Sequence, residues 1–285
     1  MKKQVLFSAA MVAAIGASAQ TGEITSNRGE NWLSQSGDWG LTFDAQPLLN
    51  YVGNLFNNGT NNMQTVWLLP NGATGNNNLA TNGITIGGKK LIDANTAYRG
   101  KVRIGFGNNK TTDLVPTIPQ PSGATQVATV EDVTTNSFFG LTLGAGLEKR
   151  VGSTRVVGVY GGEFMVGLGS SRSTTEYGNA ISNDNQVTRV TETKNGSTFG
   201  LGLNAFAGIE WFCAPKLSLS GEYTWGLALT STGTSEQTTE SWNGTSVVST
   251  TVEGDPDAGT VDRSSSFSLD TGVSGLSIGL NFYFQ

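Results

Sequence analysis

The chain has 285 residues, with 17 Lys and Arg against 22 Asp and Glu, 39 Gly, one Cys and no His. Without imidazole, Ser-His-Asp and Cys-His catalysis and His-rich zinc sites are excluded, and a lone Cys excludes an internal disulfide framework. A net charge of -5 argues against nucleic acid as a partner, because phosphate backbones are held by clustered Lys and Arg.

The N-terminus reads as an export leader. Lys2 and Lys3 precede an apolar run from Val5 to Ile15, and Ala17, Ser18 and Ala19 supply the small residues that cleavage requires. Residues 1–19 are therefore expected to be removed, which takes away two basic residues and moves the formal charge from -5 to -7. Residues 20–36 read as a short periplasmic segment and 37–285 as one β domain. Nothing after the leader approaches the ~20 consecutive apolar residues of a transmembrane helix, so a membrane reading must rest on strands.

Eight strands are expected, because short runs alternate apolar and polar residues with period two. The first, 37–45, sets Trp39, Leu41 and Phe43 against Thr42 and Asp44. The second, 83–92, turns at Asp93 to Asn95 into the third, 96–107, where Tyr98, Val102, Ile104 and Phe106 oppose Arg99, Lys101 and Arg103. The fourth, 138–149, opposes Phe139, Leu141, Leu143 and Leu147 to Gly140, Thr142, Gly144 and Glu148. The fifth, 155–169, aligns Tyr160, Phe164, Val166 and Leu168 opposite Glu163. In the sixth, 198–211, Phe199, Leu201, Leu203, Ile209 and Trp211 oppose Gly200, Gly202, Asn204, Phe206 and Glu210. The seventh, 217–229, opposes Leu219, Tyr223, Trp225 and Leu227 to Ser218, Ser220, Glu222 and Thr224. The eighth, 265–284, is expected to carry a bulge near 272–275, where the apolar register slips by one.

The connections alternate between a few residues and long polar stretches, 46–82, 108–136, 170–197 and 230–264. These Asn-, Thr-, Ser- and Gly-rich tracts are expected to be unordered loops, since they bury little apolar surface. Two stretches, 63–69 and 245–252, are apolar enough to extend hairpins or to raise the count to ten strands. Within the first connection, Leu48, Val52, Leu55 and Phe56 follow Pro47 at near-helical spacing, with Leu49 and Tyr51 between them. They form either a short helix across the mouth of the domain or a docking surface for a hydrophobic ligand or a neighbouring protein.

Short turns on one side, long connections on the other and an even strand count fit a transmembrane antiparallel up-and-down β-barrel. Its apolar face would meet lipid, because the reverse would place Arg99, Lys101 and Arg103 in hydrocarbon at ~2 to 4 kcal/mol apiece. The interior then holds Asp44, Arg99, Lys101, Arg103, Glu148, Glu163, Glu210 and Glu222. Eight strands leave room only for side chains, so these charges are expected to pair, with Glu163 and Glu222 the best-placed acids. An ion path or anion site is the functional alternative. A soluble β-sandwich would show similar alternation and is the competing fold.

The chain ends in Leu276-Ser-Ile-Gly-Leu-Asn-Phe-Tyr-Phe-Gln285, an alternating strand with an aromatic finish. Ser277, Gly279, Phe282 and Phe284 resemble the C-terminal assembly signal of outer-membrane barrels, with the terminal aromatic displaced one place by Gln285. Over 37–285 the chain is similar to the OmpA-type transmembrane domain and the OmpW-like barrels. The resemblance implies outer-membrane lipid as surroundings and the barrel-assembly machinery as a partner during insertion; the anchoring role of full OmpA-type proteins is not implied, and with no phosphate-loop or metal-ligand motif no cofactor is expected. Two functions remain open: a non-enzymatic structural or surface-binding protein acting through its loops, and a narrow channel for small or hydrophobic solutes.

Overall fold

The computed structural model describes residues 24–44, 86–123, 126–254, 263–269 and 276–285, and within them the chain is all β, with no helix. In chain order the strands are β1 Trp39–Asp44, β2 Ile86–Asp93, β3 Thr96–Pro116, β4 Thr129–Val151, β5 Val156–Glu176 and β6 Arg189–Ala214. They continue as β7 Leu217–Thr232, β8 Glu236–Trp242, β9 Val247–Glu253, β10 Ser264–Leu269 and β11 Leu276–Phe284. Every pairing is antiparallel. Strands β1 to β7 pair in succession, β7 pairs with β11 and β11 with β1, which closes a ring of eight strands.

Short connections at one end of the ring fix its register. Between β2 and β3 the Asp93 carboxylate accepts from the Asn95 N–H at 2.7 Å, an Asx turn. Between β4 and β5, Gly152 adopts φ 143°, which favours glycine. Between β6 and β7, Lys216 takes the left-handed conformation at φ 60°, which costs a non-glycine residue roughly 1 kcal/mol. Strand β10 pairs with β7 above β11. Six residues separate Leu269 from Leu276, whereas three separate their partners Leu227 and Tyr223. This odd offset exchanges the faces, so that Phe267 and Leu269 share the outward side with Phe282 and Phe284.

Four strands run far beyond the ring. Strands β3, β4, β5 and β6 have 21, 23, 21 and 26 residues, and above the ring β6 leaves β7 to pair with β8, which pairs with β9. This overturns the expectation of unordered loops over most of 108–136, 170–197 and 230–264. The tracts are rich in Thr, Ser and Val, which suit a pleated sheet, and hairpins already anchored in the ring extend by adding ladder bonds at little further closure entropy. Facing threonines link neighbours: Thr134 and Thr175 at 3.3 Å, Thr198 and Thr232 at 3.0 Å, and Thr238 and Thr251 at 2.9 Å. Of the two ambiguous stretches, the second holds β9 and extends this sheet, whereas 63–69 lies outside the described residues.

The N-terminal segment crosses the turn end. The Lys216 N–H donates to the Trp32 carbonyl at 3.1 Å, the Gly37 N–H to the Leu91 carbonyl at 3.0 Å, and the Arg155 guanidinium stacks 3.7 Å over the Trp32 ring. Leu33 is thereby buried with Leu91, Ala97, Val157, Phe212 and Tyr283, and Ile24 and Trp32 pack below them. Asp38 is also fully buried, where it pairs with Lys216 and accepts from the Gln35 N–H at 2.7 Å.

Candidate functional site

The alternation of each strand sends one set of side chains into the ring. Nearest the turns lies the apolar layer of Leu33, Leu91, Phe212 and Tyr283, in which the Phe212 and Tyr283 rings stack with centroids 5.8 Å apart. Above it three cations, Lys89, Arg99 and Arg150, meet three carboxylates, Glu148, Glu210 and Glu222, all buried. The Glu148 carboxylate is shared: one oxygen lies 2.9 Å from Lys89 Nζ and 3.1 Å from Arg99, the other 2.7 Å from Arg150. Arg99 grips Glu222 with both terminal nitrogens, at 3.1 and 2.8 Å, the bidentate geometry that makes such pairs strong. Arg150 reaches Glu210 at 2.9 Å, and Lys101 pairs with Glu163 one layer up at 3.0 Å.

Neutral groups complete the filling. The Tyr283 hydroxyl donates to Glu210 at 2.7 Å and accepts from Arg150 at 3.2 Å, while Ser218 donates to the same Glu210 oxygen. Asn281 donates to Ser218 and Ser220 at 3.2 and 3.1 Å and accepts from Thr42 at 2.7 Å. The Arg99 guanidinium lies 3.9 Å over the Phe206 ring, and Phe206 has room only because a side chain is missing at Gly161, where a Cβ would come within 2.8 Å of the ring. Likewise a Cβ at Gly40 would lie 2.8 Å from the Tyr283 ring.

Of the interior charges expected from the sequence, the structure brings Arg99, Lys101, Glu148, Glu163, Glu210 and Glu222 together. Arg103 is half-buried on the same face of β3, opposite Thr142. Asp44 ends β1 opposite Gly279, and its side chain lies outside what the structure describes. Leu48, Leu49, Tyr51, Val52, Leu55 and Phe56 also lie outside the described residues. In the C-terminal pattern, Ser277 pairs with Glu222, Gly279 is buried, and Phe282 and Phe284 face outward. Sequence reasoning missed Lys89, Arg150 and Tyr283: the two cations make four of the six ion pairs of the charged layer, and the Tyr283 hydroxyl joins Arg150 to Glu210. Their signal was parity: Lys89 alternates with Leu91 on β2, and Arg150 follows Glu148 at the next inward position.

This arrangement can hold the ring together and block it. Glu148 and Glu210 are 0% exposed, so neither can exchange a proton with a dissolved substrate. Among the described residues no group of three or more His, Cys, Asp or Glu could hold a metal ion.

The upper sheet offers a different surface. A hollow of about 410 Å³ is lined by Ser137, Phe139, Ser170, Arg172 and Lys194, among others. Its cations are already compensated, Arg172 by Glu192 at 2.7 Å and Lys194 by Glu236 at 3.1 Å, and the Glu236 contact holds the Lys194 ammonium above the ordinary lysine range. Arg189 stacks 4.4 Å from the Tyr177 ring, and burial pushes the Tyr177 phenol upward. At the margin of this sheet β9 pairs, among the described residues, with β8 alone, and all seven of its residues, Val247–Glu253, are exposed.

Comparison of the chain with protein-family models, with curated proteins and with solved structures finds no match.

Proposed function

We propose that this protein is an integral, non-enzymatic outer-membrane β-barrel of eight strands, held shut by its interior ion pairs, whose upper sheet serves as a surface for binding partners. The observation that carries the reading is the apolar belt on the outside of the ring. Trp39, Tyr98, Phe106, Leu147, Phe164, Leu203, Ile209, Trp225 and Phe284 are between 43% and 78% exposed and come from every part of the circumference. Water-soluble proteins rarely expose a contiguous apolar patch beyond a few hundred Å², and a belt around the whole ring is best satisfied by acyl chains. Its height also fits. Tyr98 to Phe106 on β3 and Phe199 to Trp211 on β6 span roughly 20 to 30 Å at the usual tilt of ~40°, against an apolar band of ~25 Å. Aromatic side chains stand at both edges, Trp39, Tyr98 and Trp211 near the turns and Phe106, Phe139, Phe199 and Phe267 at the other side.

The leader expected at 1–19 and the C-terminal pattern favour the outer membrane, with the turn end periplasmic and the tall sheet outside the cell. The same ring would serve an OmpA-type or an OmpW-like protein, so neither type is assigned. A narrow conduit is the weaker reading, because Leu33, Phe212 and Tyr283 lie across the turn end below the charged layer. The surface-binding role draws support from β9, a β-branched edge with its outer hydrogen-bonding groups unused among the described residues, which suits an added strand.

Two measurements test the proposal. Unheated protein should migrate differently from boiled protein in detergent gels and should stay with membranes after alkaline carbonate washing; release into buffer would refute membrane insertion. In planar bilayers the protein should give no stable openings. Regular openings that disappear in Glu163→Ala or Arg103→Ala would overturn the closed interior.

A further inference from the structure

Resting on the membrane reading above, the turn-end edge of the apolar belt carries two cations that the interior network does not use. Lys90 on β2 stands directly opposite Tyr98 on β3, and Thr96 on β3 stands directly opposite Lys149 on β4. All four side chains face outward on adjacent strands, with the Lys90 ammonium turned toward Trp39 and the Lys149 ammonium toward Thr96, on either side of the position of Tyr98. Their backbones are two strand spacings and two residues apart, roughly 12 Å, within reach of a single anion for side chains of this length. Trp39 completes the row on β1, with Lys90 Nζ 4.5 Å from its ring.

Among the described residues neither lysine is neutralised. Lys90 donates to the Gly37 carbonyl at 2.6 Å and Lys149 to the Thr96 hydroxyl at 2.7 Å, both neutral acceptors. The nearby acids are committed elsewhere: Asp93 caps its own turn, and Glu148 points inward to Lys89, Arg99 and Arg150. Among the described residues neither ammonium has a carboxylate within ion-pair distance. Near the opposite edge of the belt the corresponding cations on β5 and β6, Arg172 and Lys194, each hold a glutamate. The two edges therefore differ in what they ask of a lipid headgroup.

We propose that Lys90 and Lys149, with Trp39, Tyr98 and Thr96, hold the phosphate of an anionic glycerophospholipid in the leaflet at the turn end. The ammonium groups supply the charge, the Tyr98 and Thr96 hydroxyls can donate to phosphate oxygens, and the Trp39 and Tyr98 rings pack against the glycerol and upper acyl chain. A zwitterionic headgroup brings its own cation to the same place and loses most of this gain.

The test uses the full protein folded into phosphatidylcholine vesicles containing rising fractions of phosphatidylglycerol with brominated chains, and compares it with a Trp39→Phe variant to isolate the Trp39 fluorescence. Each lysine near an anionic surface is worth roughly a fivefold preference, so the pair should let brominated phosphatidylglycerol quench Trp39 at about 25-fold lower mole fraction than brominated phosphatidylcholine. Replacing Lys90→Gln and Lys149→Gln together should abolish the preference, whereas Lys90→Arg with Lys149→Arg should keep it. Identical curves for the wild type and the double Gln variant would overturn the proposal. If the double Gln variant does not fold, the wild type decides alone: raising salt from about 0.05 to about 1 M must collapse the preference, and one that persists unchanged refutes it. Equal quenching by both lipids sinks this site but leaves membrane insertion intact, whereas no quenching by either lipid refutes insertion itself.

Discussion

The lower ring and the upper sheet share four strands, β3 to β6, yet they are held by different forces. In the ring one face is sealed, so Glu148 can serve three cations at 0% exposure. In the upper sheet neither face is sealed. There Lys194 and Glu236 are 49% and 43% exposed, and cohesion comes from ladder bonds and threonine pairs. An ion pair in the first setting cannot lose one partner without stranding a buried charge, whereas one in the second is replaced by water. Stability should therefore fall along each strand from the turns upward, with the upper sheet opening before the ring.

The largest effect that would break this contrast is at its centre. Glu148→Ala should cost about 3 to 5 kcal/mol in urea unfolding, because Lys89, Arg99 and Arg150 lose their shared carboxylate. The matching change above, Glu236→Ala, should cost less than ~1 kcal/mol. Equal costs would mean that the two regions are not differently built.

Next comes the outer face. Leu203→Arg, at the middle of β6, should destabilise vesicle-folded protein by ~2 to 4 kcal/mol, whereas Asn108→Arg, outward on β3 just above the belt, should change it by no more than about 0.5 kcal/mol. Reversed magnitudes would place the membrane at the wrong height. A smaller loss is expected at the turn end, where Leu33→Ala should remove about 2 to 3 kcal/mol, at the low end for buried leucine since the segment is free to settle into the space. The smallest effect sharpens the comparison from above: replacing residues 236–253 with a short Gly-Ser linker should leave the heat-modifiable shift and the ring's melting temperature unchanged. Loss of ring stability on that replacement would show that the upper sheet supports what lies beneath it.

Much of the ring was legible because its period is strict. Along 198–211 every inward position is Gly, Asn, Phe, Glu or Thr and every outward one is apolar, and β6 keeps that alternation against β5 and β7 through this stretch. Lys89 and Arg150 escape the sequence reading because no inward face is assigned to the second strand and the fourth is ended at 149, one residue short of Arg150, whereas β4 runs to Val151. The N-terminal contribution could not be read at all: Leu33 finds its neighbours on β2, β3, β5, β6 and β11, and nothing local in 24–38 announces that. The upper sheet was misread for a physical reason. Thr, Ser and Asn are loop-like by polarity but sheet-compatible by shape, and only an anchored hairpin below decides between the two. The 47–56 segment remains an expectation, since it falls outside the described residues.

The central claim is that odd and even positions of one strand see different worlds. Spin labels placed singly at 200 to 209 on β6 in vesicle-folded protein test it most directly, through their collision rates with dissolved oxygen and with a water-soluble nickel chelate. Labels at 201, 203, 205, 207 and 209 should meet oxygen in the acyl region and exclude nickel, while those at 200, 202, 204, 206 and 208 should be shielded from oxygen. A profile without that period of two, or one with nickel reaching position 203, would contradict the account.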